Sequence, residues 1–258
     1  MRLHRKLLVT AAAAAVLTSL IVGSAEAIPN GIPVAQKEMP WMVRLLPANC
    51  AGTLIAPQIV LTAAHCLPEE SGRNTTLTAV TGAVDLESPD RTITRSTHIY
   101  RPDGFWYDED WGLVRLDKPL TTPTLPTATT AEFNNGRFIL AGWGATERGG
   151  PQQRYLLKTR TEAPAVDDAS CLAIMGSQMK PSANICTRTE NGHDQCPGDS
   201  GGPLLHRDAY GGWIQVGIVS WGGACGRPMN WPGVFTEVSA FAADIKKQSE
   251  ALMAQPVS

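Results

Sequence analysis

Gly52-Thr-Leu-Ile-Ala-Pro-Gln-Ile-Val-Leu61 is a short apolar run punctuated by Gly and Pro, and it reads as β-strand rather than helix. The same pattern recurs at Trp41 to Leu46, Leu77 to Val84, Leu113 to Leu116, Phe138 to Trp143 and Trp213 to Trp221. With 24 Gly and 19 Pro spread along 258 residues, many short strands and turns are favoured over long helices, so an all-β chain is expected. The Thr- and Pro-rich stretch from Thr121 to Ala131 has no periodic pattern and sits near the middle, where it would connect two similar halves. Two β domains of about 100 residues each follow, over 28–122 and 123–258. After Val238 the period changes: Val238, Phe241, Ile245 and Leu252 fall on one helical face, opposite Lys246, Lys247 and Glu250. This predicts one closing amphipathic helix, packed on the second domain.

The composition, 43% apolar and 18% charged, is that of a globular protein, and a formal charge of −2 without runs of either sign offers no footprint for nucleic acid or anionic membrane. Arg2, Arg5 and Lys6, the uncharged stretch from Leu7 to Val22, and Ala25-Glu-Ala27 together read as a secretory signal peptide over residues 1–27. A membrane anchor is the competing reading, but the stretch falls short of the roughly 20 residues a spanning helix needs. All six cysteines, at 50, 66, 171, 186, 196 and 225, follow this segment, and an even number in an exported chain implies three disulfides. Six cysteines allow 15 pairings, which spacing does not resolve. No C-x-x-C or H-E-x-x-H spacing supports zinc, so no metal is expected.

The chemistry concentrates in two places. Asp194-Gln-Cys-Pro-Gly-Asp-Ser-Gly-Gly-Pro203 sets Ser200 among glycines and prolines, in a tight, exposed turn that can aim backbone N–H groups. A serine hydroxyl needs a base to become a nucleophile, and the oxyanion formed on attack needs preorganised donors, which Gly198 and Ser200 can supply. Leu61-Thr-Ala-Ala-His-Cys66 runs an apolar strand end into His65, a natural general base and the only histidine of the five in a distinctive setting. Taken singly, each has a bland alternative: a Gly-rich surface turn, and a structural histidine beside a cysteine.

Together with Asp110-Trp-Gly-Leu-Val-Arg-Leu116, these motifs resemble, in the order His, Asp, Ser, the trypsin and chymotrypsin family of serine endopeptidases, most closely the bacterial secreted trypsins. The resemblance spans nearly all of residues 28 to 247. It implies two packed antiparallel six-stranded Greek-key barrels with a C-terminal α-helix. It also implies a triad of His65, Asp110 and Ser200 and an oxyanion hole at Gly198 and Ser200. Asp110 is chosen by the resemblance alone, since Asp103, Asp108, Glu109 and Asp117 lie nearby. The implied disulfides are Cys50 with Cys66, Cys171 with Cys186, and Cys196 with Cys225.

The resemblance places Asp194 at the bottom of the primary specificity pocket, with Gly222 and Gly233 as bare walls and Ser220 on the strand that pairs with substrate, which implies cleavage after Arg or Lys. It departs from the family at Gln195, Pro197 and the segment Gly226 to Trp231, and at Trp111 and Gly112 behind the acid. In the family a free N-terminal ammonium, here that of Ile28, pairs with the aspartate before the nucleophile, here Asp199. Ala27 precedes Ile28 and is also the expected signal-peptidase boundary, so export itself would release that amine; Pro29 counts against a standard seat. The family's calcium-loop spacing is missing around Asp85, Glu87 and Asp90. The expectation is thus a secreted monomeric endopeptidase without cofactor, acting on polypeptides and open to proteinaceous inhibitors. The competing readings are the same fold with non-tryptic specificity, resting on Gln195 and Pro197, and a catalytically weak binding protein.

Overall fold

The computed structural model describes residues 28–103, 108–160, 162–188, 194–223, 225 and 231–256; the signal-peptide reading lies outside them. Among these, the first half contributes β1 (Ile32–Pro33), β2 (Met42–Leu46), β3 (Cys50–Ala56), β4 (Ile59–Thr62), β5 (Gly72–Arg73), β6 (Thr78–Thr81), β7 (Thr92–Tyr100) and β8 (Gly112–Leu116). The second half adds β9 (Arg137–Gly142), β10 (Leu157–Lys158), β11 (Ala163–Val166), α1 (Asp168–Met175), β12 (Asn184–Thr187), β13 (Pro203–Arg207), β14 (Trp213–Gly222), β15 (Gly233–Glu237) and α2 (Ala242–Ala254).

The run from Gly52 to Leu61 folds back on itself as β3 and β4, with Pro57 and Gln58 between them and Thr53 opposite Leu61. From that hairpin the first sheet grows in the order β7-β6-β2-β3-β4-β8, and β8 pairs back to β7, closing six antiparallel strands into a barrel with β5 appended. The second sheet closes likewise, β9-β11-β12-β15-β14-β13 and back to β9. Numbered within each barrel, both follow one ring order, in which the fourth strand returns to pair with the first: a Greek key used twice. Closure leaves no long edge exposed, which suits strands with such apolar interiors. The buried side chains Val43, Leu45, Leu54, Val60 and Val114 fill the first barrel, and Phe138, Leu140, Leu204, Val216 and Phe235 fill the second.

Two arrangements differ from the sequence reading. Helix α2 packs on the first barrel, against β7 and β8, rather than on the second. Ile245 and Leu252 bury against Ile59, Leu61 and Leu113, and Trp111 stacks at a tilt on Phe241, 6.1 Å between centroids. Arg115 Nη1 donates to the Leu252 and Gln255 carbonyls, at 2.9 and 2.5 Å, adding to the Gln255 N–H that caps Leu252 O at 3.2 Å and tying the end of α2 to β8. The second difference is α1, a two-turn helix absent from the periodicity reading. Asp167 caps it by accepting from Ser170 N at 2.9 Å, and Gly176 closes it at φ 71°. At the other end of the chain, β1 pairs with β10, tying residues 32–33 to the second barrel.

Candidate active site

His65 stands on a single helical turn, Ala64 to Cys66, entered directly from β4 and stapled to β3 by the Cys50–Cys66 disulfide. Its flanking residues are buried while its own side chain is about a third exposed, 35%, so the ring looks outward from a fixed backbone. Asp110, just before β8, is 4% exposed and grips that histidine twice: Oδ1 accepts from the backbone N at 2.9 Å, and Oδ2 meets ring Nδ1 at 2.7 Å. A carboxylate only accepts, so Nδ1 carries the proton and Nε2 is left as the acceptor. Burial works to raise the Asp110 pKa, but the His65 contacts and the Ser220 hydroxyl, which donates to Oδ2 at 2.6 Å, outweigh it and hold the carboxyl below its ordinary range. Thr236 Oγ1 holds the Asp110 carbonyl at 2.9 Å. Trp111, which follows the acid, is buried and packs between Tyr100, 5.4 Å away, and Phe241 at the start of α2.

Ser200 lies on a turn knitted by Asp199 N to Cys196 O and Gly202 N to Asp199 O, both 2.9 Å. Ala51 N donates to Ser200 O at 2.8 Å, so β3 holds the serine turn through Ala51 and the histidine turn through Cys50. Gly201, at φ +78°, is pressed so close to Thr62 and Ala51 that a side chain there would collide with both. Gly198, at φ +101°, likewise needs the freedom of glycine.

Ser200 opens onto a cavity of about 620 Å³ lined with Gln195, Ser220, Trp221, Gly222 and Trp231. Asp194, 2% exposed, lies behind bare glycine: a Cβ on Gly233 would stand 2.9 Å from its Oδ1, and one on Gly223 would stand 3.1 Å from its Oδ2. Gln195 donates from Nε2 to the Trp221 carbonyl across the same region. Cys196–Cys225 ties the serine turn to the cavity wall, and Cys171–Cys186 joins α1 to β12. Asp199 is wholly buried, its Oδ1 accepting from Gly144 N at 2.8 Å and its Oδ2 from Cys196 N at 3.0 Å. Burial pushes its pKa up to about 7, against the two N–H bonds and the positive charge of Arg44. Ile28 is buried in the second-barrel core, and its N donates to Ala145 O at 3.3 Å, one residue from Gly144.

Among the described residues, two clusters that could suggest metal have their ligand atoms engaged otherwise. Cys50, His65 and Cys66 lie together, but the two sulfurs are bonded to each other. Asp85 and Glu87 face Arg154, whose Nε and Nη2 reach Asp85 at 2.6 and 2.7 Å and hold its carboxyl down at about 2. Sequence reasoning missed Gly223 and Thr236 at the site, and Arg44, which donates to Gly198 O at 2.9 Å. Their partners are distant in the chain, and none sits in a motif.

Two closed antiparallel barrels, with a paired Asp and His from one beside a serine turn of the other, constitute the chymotrypsin fold. The trypsin family model matches residues 28–245, and the chain belongs to that family of serine proteases. It is 44% identical over 225 residues to a trypsin-like protease of Streptomyces glaucescens, covering 86% of this chain and 82% of that one. It is 34% identical to trypsin-1 of Astacus astacus, over 85% of this chain and 95% of the crayfish protein. Transmembrane protease serine 9 of Rattus norvegicus is 30% identical over 84% of this chain but only 21% of its own length. Among the described residues, no helix is long and apolar enough to cross a membrane.

Proposed function

We propose that this protease is a secreted monomeric endopeptidase that cleaves polypeptides after Arg or Lys, with Ser200 as nucleophile, His65 as base and Asp110 as the orienting acid. The observation that carries the reading is the double grip of Asp110 on His65, which leaves Nε2 free to accept a proton. In the first step Ser200 Oγ bonds to the scissile carbonyl carbon, its proton passes to His65 Nε2, and the oxyanion is held by the N–H groups of Gly198 and Ser200. His65 then protonates the leaving amine, and water, deprotonated by the same nitrogen, releases the acyl group from Ser200.

Arg or Lys selection rests on Asp194, buried behind the side-chain-free walls at Gly223 and Gly233. A cationic side chain of substrate that reaches it meets an opposite charge in a buried setting, and a neutral one does not. Ser220 combines strand pairing to substrate with its bond to Asp110. A free Ile28 amine, released when residues 1–27 are removed at export, would turn from Ala145 O to the adjacent Asp199 and supply the charge that burial demands. The barrel strands divide at residues 122/123, with Ile28 and β1 reaching across to the second barrel and α2 to the first, and proteinaceous inhibitors would enter the same cleft. A set of peptide substrates differing only at the cleaved residue tests the reading. Turnover after Arg or Lys and none with Ser200→Ala is the expected result; cleavage after apolar residues would replace it with a non-tryptic specificity shaped by Gln195 and Pro197.

A further inference from the structure

Arg44 is a charged residue in the wrong place for a surface side chain. It lies on β2 of the first barrel, 3% exposed, and its guanidinium reaches into the second barrel. Nη1 donates to Gly198 O at 2.9 Å, and Nη2 bonds to Gln152 Oε1 and approaches Asn49 Oδ1 at 3.4 Å. Gln152 in turn donates to Asn49 O at 3.3 Å and lies against Gly198, whose added Cβ would stand 2.6 Å from Gln152 Nε2. Arg44 and Gln152 therefore both bear on one glycine, with Asn49 bonded to each of them.

A peptide group is planar, so a bond at one edge fixes what the other edge faces. Gly198 joins two such planes through its own φ and ψ, and without a side chain it has little steric means of holding them. The plane before it carries the Gly198 N–H, and its opposite edge, Pro197 O, accepts from Ala145 N at 2.9 Å. The plane after it is held at one edge by Asp199 N donating to Cys196 O at 2.9 Å and at the other by Arg44 donating to Gly198 O.

We propose that Arg44 is a positioning residue for the oxyanion hole: its guanidinium locks the Gly198 carbonyl from across the barrel interface, keeping the Gly198 N–H aimed at the developing oxyanion. This rests on the reading of Gly198 and Ser200 as the oxyanion donors. Burying a guanidinium is costly, and the cost shows in an Arg44 pKa that burial lowers to about 10, partly offset by Asp199. A methionine would fill the same volume without that cost, but it could donate to none of the three acceptors.

The test compares the active wild-type protein with Arg44→Met and Arg44→Lys, using three readings. These are kcat and KM on an arginyl peptide amide, affinity for a peptidyl argininal, and affinity for benzamidine. The aldehyde reports the hole, because Ser200 Oγ adds to its carbon and places an oxyanion there; benzamidine reports the cavity alone. For R44M we expect kcat to fall and the aldehyde inhibition constant to rise, each by about tenfold or more, with KM and benzamidine affinity within about twofold of wild type. Wild-type kcat and aldehyde affinity in R44M would overturn the proposal, as would an equal loss of both ligands in a variant that melts cooperatively. If R44M does not fold, R44K decides, since a single ammonium cannot serve Gly198, Gln152 and Asn49 together. A selective loss of aldehyde affinity supports the role, and wild-type values refute it. Failure of wild type to cleave the arginyl amide at all would remove the functional reading itself, an outcome distinct from any difference among the Arg44 variants.

Discussion

Ser220, on the second barrel, donates a 2.6 Å hydrogen bond from Oγ to Asp110 Oδ2, the same oxygen of the first barrel that meets His65 Nδ1 at 2.7 Å. The acid is thus assembled by both barrels. The second barrel supplies a hydroxyl that helps keep the carboxyl ionised and aligned, and Thr236 secures the backbone behind it. A hydrogen bond to a charged acceptor typically contributes about 1.5–3 kcal/mol.

Removing that hydroxyl should shift acid stability in a defined direction. The folded pKa of Asp110 is depressed, so its contribution is present above the unfolded carboxyl value and is lost as pH falls through the folded one. Ser220→Ala raises the folded value toward the unfolded, shrinking the contribution, so acid unfolding should begin at higher pH than in wild type. Thermal melts from about pH 6 down to about pH 2 would read this, and an unchanged acid limb would deny the coupling.

Ser200→Ala and His65→Ala should each lower kcat by several orders of magnitude, and the double variant should lose little more, because nucleophile and base act as one unit. Steady-state rates on one arginyl amide suffice. If the separate losses multiply, the two residues do not share a proton.

Asp194→Ser should abolish preference for Arg and Lys while leaving slow cleavage elsewhere. The cost for an arginyl substrate should be about 3–5 kcal/mol in kcat/KM, since a buried cation would be left without its carboxylate. An unchanged ratio of arginyl to apolar substrates would show that Asp194 does not read the side chain.

The pH dependence should also reveal whether Ile28 is free. With Ile28 N in an uncut chain, the folded Asp199 pKa of about 7 lies above the ordinary carboxylate range. A raised carboxyl stabilises the fold fully below its unfolded value, and that stability is lost as pH rises from about 4 toward 7. A form beginning at Ile28 places an ammonium near this carboxyl and should remove the decline. Activity of that form should fall at alkaline pH as the ammonium loses its proton. Parallel melting curves for the extended and the Ile28 forms, or an active form with another N-terminus, would refute the pairing.

Much of this was legible in the chain itself, where function is packed into contiguous residues. The apolar runs with Gly and Pro between them announced strands, Leu61 to Cys66 and Asp194 to Pro203 announced the turns that carry His65 and Ser200, and six cysteines announced three bridges. A turn must carry its own glycines, so its signal is local. Strand β7, Thr92–Tyr100, escaped because its residues are largely polar, and α1 escaped because eight residues define a helical face poorly. Other features had no local signal at all. That α2 lies on the first barrel depends on Trp111, Leu61 and Arg115 meeting Phe241, Leu252 and the carbonyls of its last turn. That Ser220 reaches Asp110, and Arg44 reaches Gly198, depends on how the two closed barrels face each other. Hydrogen bonds and burial act over a few ångströms of space whatever the separation along the chain, and only the folded arrangement of both barrels sets which groups fall within that range.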